Sequence, residues 1–337
     1  MKKQVVLCCC IITMFAVSLF GAGPTVYVAG FEAENGKVCA WVDGEKTIVP
    51  NISGEVDSLY IINGKVYATG SLNKNLCYWV DGVKTELPVT VDDKFMVISV
   101  EASYLTIVDG AVHVYGTAVI SLPASEPYTI LRKWINGTQA DIDLTANIGA
   151  SDILRAKYTL VNGRTYAALM LYAKGADEHT AATAVGAKLT ELPGKNPVPS
   201  SIAVSGQNIY VAGRHTKGGL NQACFWADGK QVELAGGKAS RATSIFAAKG
   251  KVIVSGYYYD TANRACYWVN GVKKDLEGGT ITGAVDDSAL LPIAVHNGKV
   301  YIAGYYNEGK NKKACYWVDG KRVDLPGGVK AVAIEVE

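Results

Sequence analysis

The pattern Cys-x-Trp-Val-Asp-Gly recurs along the chain and constrains its fold more than any other feature. Copies of it, some with Ala at the fourth position or Asn at the fifth, begin at Cys39, Cys77, Cys224, Cys266 and Cys315. A further copy, Arg-Lys-Trp-Ile-Asn-Gly at 132–137, has arginine in place of the cysteine. Strand-rich repeats with a period of roughly 40–50 residues are typical of a β-propeller.

Each unit is predicted to contain four short strands. In the unit at 244–276, a tight turn at Lys249-Gly250 joins the first strand to the second, and Asn270-Gly271 joins the third to the fourth. Asn-Gly and Asp-Gly pairs recur at equivalent places, and these residues accept the positive φ values of a two-residue hairpin. Every unit therefore predicts one four-stranded antiparallel blade.

The tryptophan spacing gives the number of blades. Tryptophans stand at positions 41, 79, 134, 226, 268 and 317, and the doubled gap after 134 contains a degenerate unit with Ala184 in the tryptophan position. The segment 25–30 resembles a second strand with no first strand before it, and 331–336 resembles a first strand. The sequence predicts an all-β, seven-bladed propeller whose ring closes by pairing the C-terminal strand with the N-terminal one.

Residues 1–23 have the layout of a secretory signal peptide. Lys2 and Lys3 precede an apolar run and then small residues near Ala22. A retained membrane anchor is the alternative, because the run is nearly long enough to span a bilayer. The propeller then occupies 24–337, with one blade built from 24–50 and 331–337. We expect a periplasmic or extracellular protein with no stable membrane insertion after cleavage of the signal.

Charge and cysteine usage exclude several classes of function. Without Lys2 and Lys3, the chain carries 31 basic and 31 acidic residues and no basic stripe, which argues against a nucleic-acid partner. The five propeller cysteines occupy one slot of successive blades, too far apart for disulfides, and are expected to be small buried groups beside tryptophan. The four histidines lie in different units without metal-ligand spacing. We expect no metal, no cofactor and a monomer.

The long loops are the expected location of a site. The loops between second and third strands and the connections between blades share one face of the disc, here called the connector face. The two tight hairpins of each blade lie on the opposite face, here called the turn face. Loops on a rigid frame commonly carry binding sites. The candidate contact residues for a protein or glycan are Arg214, His215, Tyr258, Tyr259, Tyr305 and Tyr306.

No catalytic motif is evident, but two acidic pairs keep an enzyme open as an alternative. Asp92-Asp93 and Asp286-Asp287 lie in blade connections, where such pairs often only cap a loop. They could also bind a cation, or act as the two carboxylates of a glycoside hydrolase or lyase. No catalytic residues are predicted.

The repeat unit resembles those of bacterial secreted propeller proteins with a Tyr-Val-Ala-Gly second strand and a Tyr-Trp-x-Asn-Gly third strand. In this chain the clearest example joins 300–305 to 314–320. It is similar, more loosely, to kelch repeats. The resemblance implies a propeller in the envelope or exterior of a bacterium and implies no particular reaction. The sequence thus favours a non-enzymatic binding or scaffolding propeller.

Overall fold

A computed structural model describes residues 23–33, 37–48, 52, 55–73, 75–123, 125–148, 151–173, 175–281 and 291–337. The predicted signal peptide therefore lies almost wholly outside the described residues. Among the described segments, none forms a helix with the length and apolar character that a membrane span requires.

Seven four-stranded antiparallel sheets form the ring, which confirms the predicted seven-bladed propeller. Blade I contains β1 (Val26–Phe31), β2 (Val38–Val42) and β3 (Glu45–Ile48), and is completed by β28 (Lys330–Val336). Blade II contains β4 (Glu55–Ile62), β5 (Lys65–Leu72), β6 (Asn75–Val80) and β7 (Val83–Glu86). Blade III contains β8 (Met96–Val108), β9 (Ala111–Ser121), β10 (Tyr128–Ile135) and β11 (Thr138–Ala140).

The other four blades follow in chain order. Blade IV contains β12 (Ser151–Val161), β13 (Arg164–Ala173), β14 (Thr180–Val185) and β15 (Lys188–Glu191). Blade V contains β16 (Val198–Ser205), β17 (Asn208–Lys217), β18 (Leu220–Ala227) and β19 (Lys230–Glu233). Blade VI contains β20 (Ala239–Ala248), β21 (Lys251–Tyr259), β22 (Asn263–Val269) and β23 (Val272–Ile281). Blade VII contains β24 (Ile293–His296), β25 (Lys299–Glu308), β26 (Asn311–Val318) and β27 (Lys321–Asp324).

Ring closure takes place in blade I, as predicted. The C-terminal strand β28 pairs antiparallel with β1, and its partners run from Val26 with Val336 to Phe31 with Lys330. Thr25 and Glu337 extend this pairing, because the backbone N–H of each donates to the carbonyl of the other at 3.0 Å. This closure gives β1 a partner along an edge that would otherwise be open to other chains.

The Asp or Asn of the repeated pattern forms a hydrogen bond between two strands of its blade. In six blades its side chain accepts a hydrogen bond from the backbone N–H at the start of the second strand, at 2.8–3.1 Å, as in Asp43 to Val26 and Asp319 to Val300. The same residues have φ near +50°, as the predicted hairpins require. The pattern therefore builds the hairpin and also ties it to the neighbouring strand.

The tryptophans lie between blades, as predicted. All six are almost fully buried. Five of them donate the indole N–H to a carbonyl that ends the preceding blade, at 2.7–3.1 Å: Trp41 to Pro326, Trp134 to Pro88, Trp226 to Pro193, Trp268 to Ala235 and Trp317 to Glu277. Each indole thus fills the wedge between two sheets and binds one to the next.

The five propeller cysteines are buried and free, and they pack beside these indoles as expected. Burial raises the pKa of the Cys39 thiol to about 12 and also raises the pKa of Cys77 and Cys224. These thiols remain protonated at neutral pH, so they act as small apolar groups rather than nucleophiles.

Candidate functional site

A bulge in the innermost strand of five blades directs extra side chains into the centre of the ring. At each bulge the first strand has one residue more than its partner strand. The extra residues are Val332 in blade I, Asp57 in blade II, Ser103 in blade III, Ser200 in blade V and Thr243 in blade VI. Bulges of this kind often redirect a side chain beside a functional site.

Glycine on the second strand makes room for each bulge. The residue that faces the bulge is Gly30, Gly70, Gly116, Gly213 or Gly256 in the five blades. A Cβ at these positions would lie 1.9–2.2 Å from a carbonyl oxygen of the first strand. Blade IV has Leu169 in this slot, and its bulge has moved to Leu154. The glycine of the repeat is therefore required by a close approach of two backbones.

The bulges line a central channel. A cavity of about 1070 Å³ lies on the axis of the ring, and its walls come from the first strand of every blade, or from the residue before it in blade VII. The five extra residues all face this cavity. Hydroxyl groups predominate among them, and Asp57 is the single carboxylate. We call these five residues the collar.

A ring of charge surrounds the collar on the connector face. Two positions before the collar residue stand the charged residues Lys330, Glu55, Glu101 and Arg241 in blades I, II, III and VI, whereas blade V has Val198 there. Blade IV adds Arg155 and Lys157 from β12. Acidic side chains therefore come from neighbouring blades II and III, whereas basic side chains come from blades I, IV and VI. The mouth of the channel has a negative side and a positive side.

The electrostatic environment perturbs ionisable groups at this mouth. Asp57 is exposed to the channel but enclosed by its walls, and desolvation, reinforced by the negative charges of Glu101 and Glu55, raises its pKa to about 6. Desolvation and the nearby Arg155 lower the pKa of Lys157, although Glu101 opposes that change. Perturbed groups in a cleft are a physical sign of a functional site.

Tyrosines continue the wall of the channel below the collar in blades II to IV. The Tyr60, Tyr104, Tyr115 and Tyr158 rings form a chain of edge-on and tilted contacts with centroids 5.5–6.4 Å apart. The Tyr60 hydroxyl donates to the Ser103 carbonyl at 3.1 Å, and the Tyr158 hydroxyl donates to the Gly116 carbonyl at 3.0 Å. These bonds hold one blade to the next and make this side of the channel rigid.

The prediction that the six candidate contact residues lie in loops is wrong. Arg214 and His215 lie on β17, Tyr258 and Tyr259 on β21, and Tyr305 and Tyr306 on β25. The second and third strands continue their pairing beyond the repeat glycine, so these positions belong to the sheets. Tyr258, Tyr305 and Tyr306 are buried, and only Tyr259, which is 43% exposed, offers much of its surface to a ligand.

Three of these side chains have a structural partner on the outermost strand of their blade. His215 Nε2 lies 2.8 Å from a Glu233 carboxylate oxygen. The Lys273 ammonium lies 3.5 Å from the Tyr258 ring centroid, and the Arg322 guanidinium lies 3.9 Å from that of Tyr306. His215, Tyr258 and Tyr306 occupy equivalent positions in blades V, VI and VII, and each of the two tyrosine rings makes a cation–π contact. Burial, and secondly the nearby Arg155, lower the pKa of Arg214.

The acidic pair Asp92-Asp93 does not line the channel. Asp92 lies beside blade III, where its carboxylate contacts the Lys94 ammonium at 3.6 Å and is 76% exposed. Asp286-Asp287 lies outside the described residues. No group of three potential metal ligands is found in the described part of the chain.

The collar and the charged mouth were missed by sequence reasoning. Their only sequence signals are the second-strand glycine, which faces the bulge, and the ionisable residues at 55, 57, 101, 155 and 157, which lie within first strands.

No family model matches the sequence, and neither does any curated protein. Among solved structures, the chain is similar to a Trypanosoma rangeli sialidase with 11% identity and a TM-score of 0.38, over 86% of this chain and 57% of the sialidase. It is similar to an endo-arabinanase from Bacillus licheniformis with 12% identity and a TM-score of 0.32, over 73% and 95% of the two chains. AztD from Citrobacter koseri gives 11% identity and a TM-score of 0.38, over 93% and 98%. Likeness at this level carries no argument about function.

Proposed function

We propose that this protein is a non-enzymatic binding propeller of the bacterial envelope or exterior, and that its ligand is the end of a glycan held at the connector-face mouth of the central channel. The signal-like segment and the resemblance of the repeats to those of secreted propellers support the location. The observation that carries the binding role is the convergence of the collar with Glu55, Lys157 and Lys330 on one cavity of about 1070 Å³.

The chemistry of the mouth suits a polar ligand with hydroxyl and charged groups. Ser103, Ser200 and Thr243 supply hydroxyls, which donate to and accept from sugar hydroxyls. Asp57 can bind an amino or hydroxyl group, whereas Lys157 and Lys330 can bind a carboxylate or another anion. The cavity is concave, which favours the end of a chain over the flat surface of a folded protein.

A panel of immobilised neutral, amino-substituted and acidic glycans tests this proposal. We expect retention of the wild-type protein, with at least a tenfold weaker apparent affinity for Asp57→Asn and for Lys157→Met. Lys65→Met is the matched control, because Lys65 adjoins the hairpin at Asn63-Gly64 on the turn face. Equal affinity for all three variants would refute the channel mouth as the site.

A second candidate function is glycoside hydrolysis, and the raised pKa of Asp57 is the observation that favours it. A carboxyl group whose pKa is raised to about 6 beside other carboxylates resembles the arrangement by which glycosidases separate a general acid from a base or nucleophile. The assay is release of reducing ends from the glycans that bind. Turnover that Asp57→Asn abolishes would establish the enzyme, whereas binding without turnover would exclude it for those glycans.

A further inference from the structure

Arg132 in blade III occupies the slot in which five other blades carry a buried cysteine. It stands two residues before Trp134, as Cys39 stands before Trp41 and Cys315 before Trp317. The cysteines are 0% exposed and small. An arginine needs far more room and carries a permanent charge, so blade III must differ locally from its neighbours.

The connection that enters blade III supplies the room. In the connections that enter blades I, VI and VII, two consecutive glycines follow the carbonyl that binds the tryptophan: Gly327-Gly328, Gly236-Gly237 and Gly278-Gly279. A Cβ on Gly328 would lie 2.4 Å from the Trp41 ring, so that chain passes very close to the sheet. Before blade III, Val89 and Thr90 take these places, and residues with a Cβ cannot approach a sheet as closely as glycine does.

A cleft of about 490 Å³ opens between this connection and blade III. The side-chain amide of Gln139 fixes one wall, because it accepts from the Thr90 N–H at 2.9 Å and donates to the Thr90 carbonyl at 3.1 Å. Phe95, Ile120 and Ile130 form apolar walls. The cleft is therefore built and held in place, and it is separate from the central channel.

The Arg132 guanidinium lines this cleft with unused hydrogen-bonding capacity. Among the described residues its buried Nε has no partner, and its Nη1 donates to the Leu131 carbonyl at 3.2 Å. Desolvation lowers its pKa. Asp92 lines the same cleft, but its exposed carboxylate faces Lys94. A half-buried cation that makes no ion pair with any described residue is costly, and a bound anion would remove that cost.

We propose that this cleft binds an organic carboxylate with an apolar body. The planar guanidinium matches a carboxylate in the two-bond geometry that arginine favours. The apolar body of the ligand lies against Phe95, Ile120 and Ile130 and is removed from water there. This site is independent of the glycan-binding role proposed for the channel mouth.

Benzoate and its neutral counterpart benzamide are suitable probes, with thermal unfolding and isothermal titration calorimetry as the measurements. We expect benzoate at ten times its Kd to raise the Tm of the wild-type protein by roughly 3 °C, whereas benzamide leaves it unchanged. Arg132→Met should remove the benzoate response. Arg132→Cys, which installs the residue of the other blades, gives a second variant should the methionine variant fail to fold.

Lys133→Met is the matched control, since Lys133 lies on the opposite face of β10 over the Tyr115 ring. It should respond to benzoate as the wild type does. A wild-type protein that shows no heat of binding and no Tm shift would overturn the proposal. An undiminished shift in the Arg132 variants would overturn it equally.

Discussion

Substitution of Gly70 by alanine tests whether glycine is required for the bulge that carries Asp57. The Gly70 backbone is extended and has no positive φ, so alanine is acceptable on conformational grounds. A Cβ there would lie 2.0 Å from the Glu55 carbonyl oxygen, whereas ordinary contacts begin at 3.4 Å. The strands must separate or the bulge must flatten, and either change moves Asp57.

The expected size of the effect follows from two opposing contributions. Overpacking of a filled site destabilises the folded state by about 1–3 kcal/mol. Replacing glycine reduces the entropy of the unfolded chain, which stabilises the folded state by about 0.5 kcal/mol. We expect Gly70→Ala to lower the free energy of unfolding by about 2 kcal/mol, and so to lower Tm by roughly 4–6 °C.

Thermal unfolding followed by circular dichroism measures this change. Ser71→Ala, at the next position of β5, is the control, because it adds no atom and should shift Tm by less than about 2 °C. A Gly70→Ala protein with the Tm of the wild type would refute the steric role of the glycine. Blade IV shows an arrangement without this glycine, because Leu169 occupies the same slot and the bulge of the first strand lies at Leu154 instead.

Three further predictions concern the blade interfaces, the channel and the blade III cleft. Trp268→Phe removes the 2.7 Å hydrogen bond to the Ala235 carbonyl and leaves a cavity, so the free energy of unfolding measured in urea should fall by about 2 kcal/mol. An unchanged free energy of unfolding would contradict the packing role of the indole between blades. The pKa of Asp57 is raised in the folded state to about 6, so the folded protein binds this proton more tightly than the unfolded chain does. The free energy of unfolding should therefore fall as pH rises from about 4 to about 6. Asp57→Asn should remove this loss of stability, so the Tm of the variant minus that of the wild type should be higher at pH 7 than at pH 4. A Tm difference that does not change with pH would contradict the raised pKa of Asp57. Arg132→Cys should leave Tm in the absence of ligand equal to or above that of the wild type, because it removes a poorly paired half-buried cation; a fall of more than about 3 °C would contradict this account.

The blades were predictable from sequence because the residues that define them act locally. Asp43-Gly44 and its equivalents determine a hairpin within a few residues, and the Trp41 slot recurs at a fixed distance from it. The count of seven and the pairing of β28 with β1 follow from these local signals and from the need to close the ring.

The channel mouth could not be predicted in the same way, because it is assembled from residues far apart in the chain. Glu55, Glu101 and Lys330 become neighbours only through the circular order of the blades. The extent of the second strands was also underestimated, since Tyr258 and Tyr306 follow a glycine that resembles the end of a strand. In blade VI the glycine, Gly256, instead faces a bulge in the adjacent strand. The cleft of blade III did have a sequence signal, the arginine in place of cysteine at position 132.

The closure of blade I has a consequence for the order of folding. The bond from the Trp41 indole to the Pro326 carbonyl joins residues 285 positions apart, whereas each hairpin joins close neighbours in the sequence. Contacts of such long range are formed slowly, because the chain entropy of a very large loop is lost before they are gained. Blade I pairs β1 with β28, which are far apart in chain order, so it is expected to close later than the blades built from neighbouring strands. Until β28 arrives, the open edge of β1 is the part of the propeller most exposed to pairing with another chain.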